Sequence, residues 1–149
     1  MATVVDVHGL LQIFAFVIVF PAGILVAIFR DALGPTWIRW HLVLQLIGTI
    51  MVTTAIVLIK IKRKNHSHDS IEGKGSGAMD MHRYIGPVVF VALVLQWIWA
   101  LYMRGKIDWI WWFRVHVVLA GIILLGGWFQ IYLGIRAKNE YMASYSEKK

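Results

Sequence analysis

The stretch WIRWHLVLQLIGTIMVTTAIVLI, residues 37–59, decides the fold. Its single formal charge, Arg39, sits near the start, and nothing ionised follows before residue 60. Crossing a hydrocarbon core takes roughly 20 apolar helical residues, and only a helix or a closed barrel satisfies its own backbone there. Three further stretches meet the same test, at 7–29, 84–102 and 109–135. They belong to a chain of 149 residues that is 59% hydrophobic and 15% charged, with a mean hydropathy of +0.67. Soluble domains carry about a quarter charged residues, so the composition is that of a membrane protein. The expectation is an all-α integral membrane protein: one domain, 1–149, folded as an up-down-up-down four-helix bundle with an inner loop over 60–81.

The net charge of +7 could suggest nucleic acid in a soluble protein, but here the basic residues lie at helix ends and in one loop, as membrane topology requires. With four spans, Lys60, Lys62, Arg63, Lys64, Lys74, Arg83, Arg136, Lys138, Lys148 and Lys149 fall on the side of both termini. The other side holds Arg30, Arg39, Arg104, Lys106 and Arg114. Ten against five predicts cytoplasmic termini, and seven of the eight tryptophans fall toward the outer face as an interfacial belt. Gly34-Pro35 and Arg104-Gly-Lys-Ile-Asp108 read as tight outer turns, so consecutive helices should pack as antiparallel neighbours. Pro21, inside the first span, predicts a kink. There are no cysteines, which excludes thiolate-ligated haem, iron–sulfur clusters and covalent haem attachment.

Four histidines lie near the starts of the four apolar segments: His8, His41, His82 and His116. Spans one and three start inside, so His8 and His82 share the inner level; spans two and four start outside, so His41 and His116 share the outer one. Ionisable residues within spans are rare and usually functional. A bis-imidazole haem needs two nitrogens from different helices across a bundle core, and each level offers two histidines with no third protein ligand to complete a tetrahedral zinc site. Two b-type haems, about 20 Å apart along the membrane normal at 1.5 Å per residue, are therefore expected as cofactors. The same four histidines would be the metal ligands.

Polar residues accompany them. Gln12 and Gln45 each follow a histidine by four residues, Gln96 and Gln130 each by fourteen, and all lie close to a histidine face. Gln12 and Gln45 are candidates to bond the ligands or the cofactor edge, against the alternative of interhelical hydrogen bonding without a cofactor. Arg39, Arg83 and Arg114 stand within two residues of a histidine and are candidates to pair haem propionates, against ordinary snorkelling at helix ends.

His8-Gly9 with Pro21-Ala-Gly23 and Arg30, Trp40-His41 with Gln45 and Gly48, His82-Arg-Tyr-Ile-Gly86 with Gln96, and Arg114-Val-His116 with Gly121 and Gly134 together resemble the eukaryotic cytochrome b561 family. The similarity covers 7–135 and is nearest to the form attached to an extracellular domain. It implies two non-covalent haems on His8, His41, His82 and His116. It further implies electron transfer from cytoplasmic ascorbate to monodehydroascorbate or a ferric chelate, which would make the chain a transmembrane oxidoreductase. Members generally have five or six spans, whereas the four core helices are present here.

The leading expectation is a dihaem conduit moving single electrons across the lipid bilayer between a small-molecule donor and acceptor. The alternative is a haem-bearing anchor subunit exchanging electrons with quinone in a larger complex. A third reading, a cofactor-free scaffold or transporter with a histidine proton relay, fits the four matched ligands least well. A homodimer or a partner subunit is compatible with any of these.

Overall fold

The computed structural model describes residues 3–66 and 77–146. All regular structure among them is helical. The chain divides into two compact units, Met1–Gly73 and Lys74–Lys149, each a pair of antiparallel helical arms.

The first hairpin opens with α1 (Val4–Ile13). Its start is fixed by a capping box: the Thr3 hydroxyl accepts from the Asp6 N–H (3.2 Å), and the Asp6 carboxylate accepts from the Thr3 N–H (2.9 Å). A π-helical turn, Phe14–Val19, leads into α2 (Phe20–Ile28). Proline lacks the N–H that closes the preceding turn, so Pro21 disturbs the ladder upstream of itself. The expected disturbance takes the form of this widened turn, in which the Phe20 N–H reaches back five residues to Ala15 O. The short α3 (Arg30–Leu33) and a 3₁₀ turn, Gly34–Thr36, then reverse the chain. Gly34 has φ +60, a conformation costly for any residue with a Cβ. The return arm is α4 (Trp37–His66).

The two arms approach closely where side chains vanish. A Cβ on Gly48 would lie 2.5 Å from the Phe20 ring, and one on Gly23 would lie 2.5 Å from the Gln45 amide nitrogen. Phe20 is buried and packs edge-on against buried Phe16 at 5.1 Å, while Ala15, Val52 and Ala55 complete the seam.

The second hairpin consists of α5 (Gly77–Tyr102) and α6 (Trp109–Ser146). Gly105, at φ +79, makes the turn, and the Asp108 carboxylate caps α6 by accepting from the N–H groups of Ile110 (2.9 Å) and Trp111 (3.2 Å). Across from the turn, buried Ala78, Leu133 and Ala137 pack with Met79 and Ile85. In the middle, Gly126 admits Val89, whose methyl would lie 3.0 Å from a Cβ there.

Four helical stretches are long and apolar enough to cross a membrane: Val4–Ile28, Arg30–Lys62, Gly77–Tyr102 and Trp109–Ser144. The protein is an integral, multi-pass membrane protein, all-α as expected. Outward-facing Leu46, Ile50, Val91 and Ile122 stay more than half exposed, which suits lipid rather than water. The helices outrun the apolar stretches. Residues 60–66 and 77–81, expected in the inner loop, are helical; in the first of these lysine and arginine propagate the helix as well as leucine does once it has left the apolar layer, and in the second Ala78 and Met79 are good helix formers. Most of the Gly/Ser-rich stretch lies outside the described residues. Likewise α6 continues past residue 135, with the Arg136 guanidinium donating to Glu140 one turn on (2.8 Å).

Candidate functional site

Of the four histidines of the apolar segments, each hairpin carries one near its turn end and one near its open end. His41 and His116 begin the arms that leave the turns; His8 and His82 stand near the opposite ends, and all four are part-buried. Within a hairpin the two levels are therefore separated by most of a span. His8 and Gly23, the level of His41, are 15 residues apart, which is about 22 Å of helix.

Each ring is held by the opposite arm of its own hairpin. His8 Nδ1 lies 2.9 Å from Ala55 O, His41 Nδ1 2.8 Å from Gly23 O, and His82 Nδ1 3.1 Å from Gln130 O. A carbonyl oxygen can only accept, so Nδ1 of His8 and of His41 carries the proton and donates it, while at His82 the Gln130 amide nitrogen also reaches Nδ1. The imidazole of His8 and of His41 is then the tautomer whose lone pair resides on Nε2, the form a metal requires. His116 meets the Gln96 side chain. The Gln96 amide nitrogen donates both to His116 O (2.9 Å) and toward His116 Nδ1 (3.0 Å).

The second hairpin has a near-symmetric register. His82 and Gln96 are 14 residues apart on α5, as are His116 and Gln130 on α6, and each glutamine addresses the histidine of the other helix. With its amide nitrogen facing His82, Gln130 donates to His82 O (3.1 Å) and approaches His82 Nδ1 (2.9 Å), while its oxygen accepts from the Gly86 N–H (3.2 Å). Gly134 leaves room for the His82 ring, which would lie 3.4 Å from a Cβ at that position.

Aromatic rings flank the turn-end histidines one helical turn upstream. Trp112 stacks on His116 with centroids 5.2 Å apart and planes 7° apart; Trp37 lies tilted against His41 at 6.3 Å. Trp112 is itself fixed: its indole N–H donates to Trp99 O (3.3 Å), the Trp99 indole donates to Trp112 O (3.1 Å), and Trp109 stacks on its other side at 4.9 Å. Sequence reasoning read these tryptophans only as an interfacial belt. The signal it passed over is the repeated Trp-x-x-x-His spacing, at 37/41 and 112/116.

Among the polar candidates, Gln45 lies against Gly23 and points its amide toward Phe20 O at 3.5 Å, one turn from His41. Gln12 has no hydrogen bond among the described residues. Arg83 pairs loosely with Asp80 (3.7 Å), both about half exposed. Arg39 and Arg114 sit two residues before their histidines, a spacing that turns them to another side of the helix. The interhelical amides that matter geometrically are Gln96 and Gln130 rather than Gln12.

The donor set fits a b-type haem. Imidazoles part-buried in apolar helices beside small residues, three of them with Nδ1 at a main-chain carbonyl, are what axial ligation requires. Among the described residues no three His, Cys, Asp or Glu gather into a cluster of the kind that holds a metal ion directly.

No curated protein and no solved structure matches the chain significantly. The family model described as eukaryotic cytochrome b561 matches residues 7–142, from the residue before His8 to well beyond Gly134. Proteins of this family carry out haem-dependent transmembrane electron transfer. With that match spanning both hairpins and all four histidines, the chain belongs to the eukaryotic cytochrome b561 family.

Proposed function

We propose that the chain holds two b-type haems, one between His8 and His82 and one between His41 and His116, and moves single electrons from one side of the membrane to the other. The observation that carries this reading is the matched placement of histidines, one at each end of each hairpin, with His8, His41 and His82 tied through Nδ1 to a carbonyl of the opposite arm. Each haem, when bound, supplies a one-electron ferric/ferrous couple.

The residues of the chain do the rest. His8 and His82 would hold one haem at the open ends and His41 and His116 the other at the turn ends, each through an imidazole nitrogen. The apolar helices keep water away, and Arg39, Arg83 and Arg114, within two residues of a histidine in sequence, would supply positive charge at the helix ends for the acidic groups of a bound cofactor. The excess of basic residues on the side of the termini puts that side in the cytoplasm. Electrons then run from a cytoplasmic donor such as ascorbate to monodehydroascorbate or a ferric chelate at the turn end.

The test is a reduced-minus-oxidised spectrum of the purified protein with haem quantified per chain. Two haems are expected. His82→Ala should remove or alter one and His41→Ala the other; a wild-type chain expressed with ample haem that shows no Soret band would refute the proposal, and so would two substitutions acting on the same haem.

A further inference from the structure

Two of the prolines stand inside apolar helices, and the chain accommodates them in different ways. Before Pro21 it widens into the π turn Phe14–Val19. Pro87 stands inside α5, which nevertheless runs as α-helix from Gly77 to Tyr102. Proline has no N–H to give the carbonyl of Arg83, four residues back, and its ring presses on that same carbonyl. The turn just after His82 is therefore the weak point of the helix. Facing this turn from α6 is Gln130, a buried polar side chain only 9% exposed.

The Gln130 amide takes the same two main-chain groups that a helical bond of this turn joins. Its nitrogen donates to His82 O (3.1 Å) and its oxygen accepts from the Gly86 N–H (3.2 Å), a carbonyl and the N–H four residues on. The opposite orientation would set oxygen against carbonyl oxygen and nitrogen against N–H. A carbonyl has two lone pairs and an N–H can be shared, so the amide reinforces the turn and ties it to α6. The same residue meets the ring: His82 Nδ1 lies 3.1 Å from Gln130 O and 2.9 Å from the Gln130 amide nitrogen. One residue of α6 thus holds the carbonyl of His82, its ring and the N–H just before Pro87.

Resting on the assignment of His82 as an axial ligand, we propose that Gln130 is a positioning residue for it: the amide stitches the turn that Pro87 weakens to α6, and thereby fixes where the ligand segment of α5 stands. The stitch and the proline work as one device. Pro87→Ala would restore the missing N–H and close the turn from within, and the segment would then depend less on an amide from outside. Gln130→Leu loses the side-chain bonds but keeps the main-chain carbonyl beside His82 Nδ1, so the ring retains one contact while its backbone is released.

The experiment combines hydrogen–deuterium exchange of the peptide covering 82–91 with electron paramagnetic resonance of the ferric haems, both on the purified, haem-loaded chain in lipid nanodiscs. Gln130→Leu is expected to speed exchange in that peptide by about fivefold to tenfold, the equivalent of one hydrogen bond, and to shift or broaden the low-field signal of one haem while the other holds. Pro87→Ala alone should leave both readouts near wild type. Pro87→Ala combined with Gln130→Leu should bring exchange back to within about twofold of wild type and restore the signal. Wild-type exchange in Gln130→Leu, or a double variant no closer to wild type than the single one, would overturn the proposal, and so would faster exchange with both haem signals unchanged. If Gln130→Leu does not fold, Gln130→Asn decides. It keeps the amide but is one methylene too short to bridge His82 O and the Gly86 N–H, so the same changes and the same rescue support the proposal, and wild-type behaviour refutes it. His82→Ala separates the two readings. Loss of one haem in that variant keeps the ligand assignment standing whatever Gln130 does, and retention of both removes the assignment itself.

Discussion

Gly48→Ala adds a single methyl group at a close approach between α2 and α4. That methyl would lie 2.5, 2.8 and 2.9 Å from three atoms of the Phe20 ring. Carbon atoms in contact prefer about 3.5–4.0 Å, so either the ring or the helix must move by about 1 Å. Phe20 is only 4% exposed and is backed by Phe16, so the ring has no vacant place to swing into. Overpacking of this kind costs about 1–3 kcal/mol. Against it stands the helical preference for alanine over glycine, about 1 kcal/mol. The net expectation is a loss of up to about 2 kcal/mol, felt beside His41, whose Nδ1 partner is the carbonyl of Gly23 on α2. Gly9→Ala is the matched control, since a Cβ there meets nothing within 4 Å and should give only the helical gain of about 0.5–1 kcal/mol. Denaturant titration of the purified variants, followed by circular dichroism and by absorbance at the haem band, measures both. Gly48→Ala as stable as Gly9→Ala, with an undisturbed haem spectrum, would refute the close approach on which the first hairpin rests.

Trp112→Leu removes both the stack on His116 and one half of the reciprocal indole pair, and it should broaden the paramagnetic signal of a single haem while leaving the other sharp. Asp108→Ala strips the cap from α6 and should cost about 1 kcal/mol of stability, read from the same denaturant titration, with no change in either haem spectrum.

Much of this molecule could be read before its coordinates. The four spans, the tight turns at Gly34 and Gly105 and the four histidines follow from apolar run length, turn chemistry and the cost of placing an imidazole in lipid. What was hidden has identifiable causes. Counting around an ideal helix from His8 reaches Ala22, with Gly23 one place further; the π turn before Pro21 adds a residue to the circuit, and it is Gly23 whose carbonyl faces His41. Main-chain acceptors such as Ala55 O and Gly23 O leave no mark in a sequence, because any residue supplies the same carbonyl. Gln96 and Gln130 were visible on the histidine faces, yet a spacing of fourteen residues rather than four does not say which amides reach a histidine. Only the antiparallel register of α5 on α6 brings each to the histidine of the other helix.

Ligand orientation that rests on main-chain carbonyls is a property of alignment between helices, not of residue identity. Substitutions on the outer faces of the arms can accumulate without touching it. Insertion or loss of one residue between His8 and Gly23, or between His41 and Ala55, would rotate an acceptor by about 100° away from its ring. The chain should therefore diverge freely in composition while its spacing stays fixed. Length variation should be confined to the turns, the inner connection and the helix ends that project beyond the bilayer.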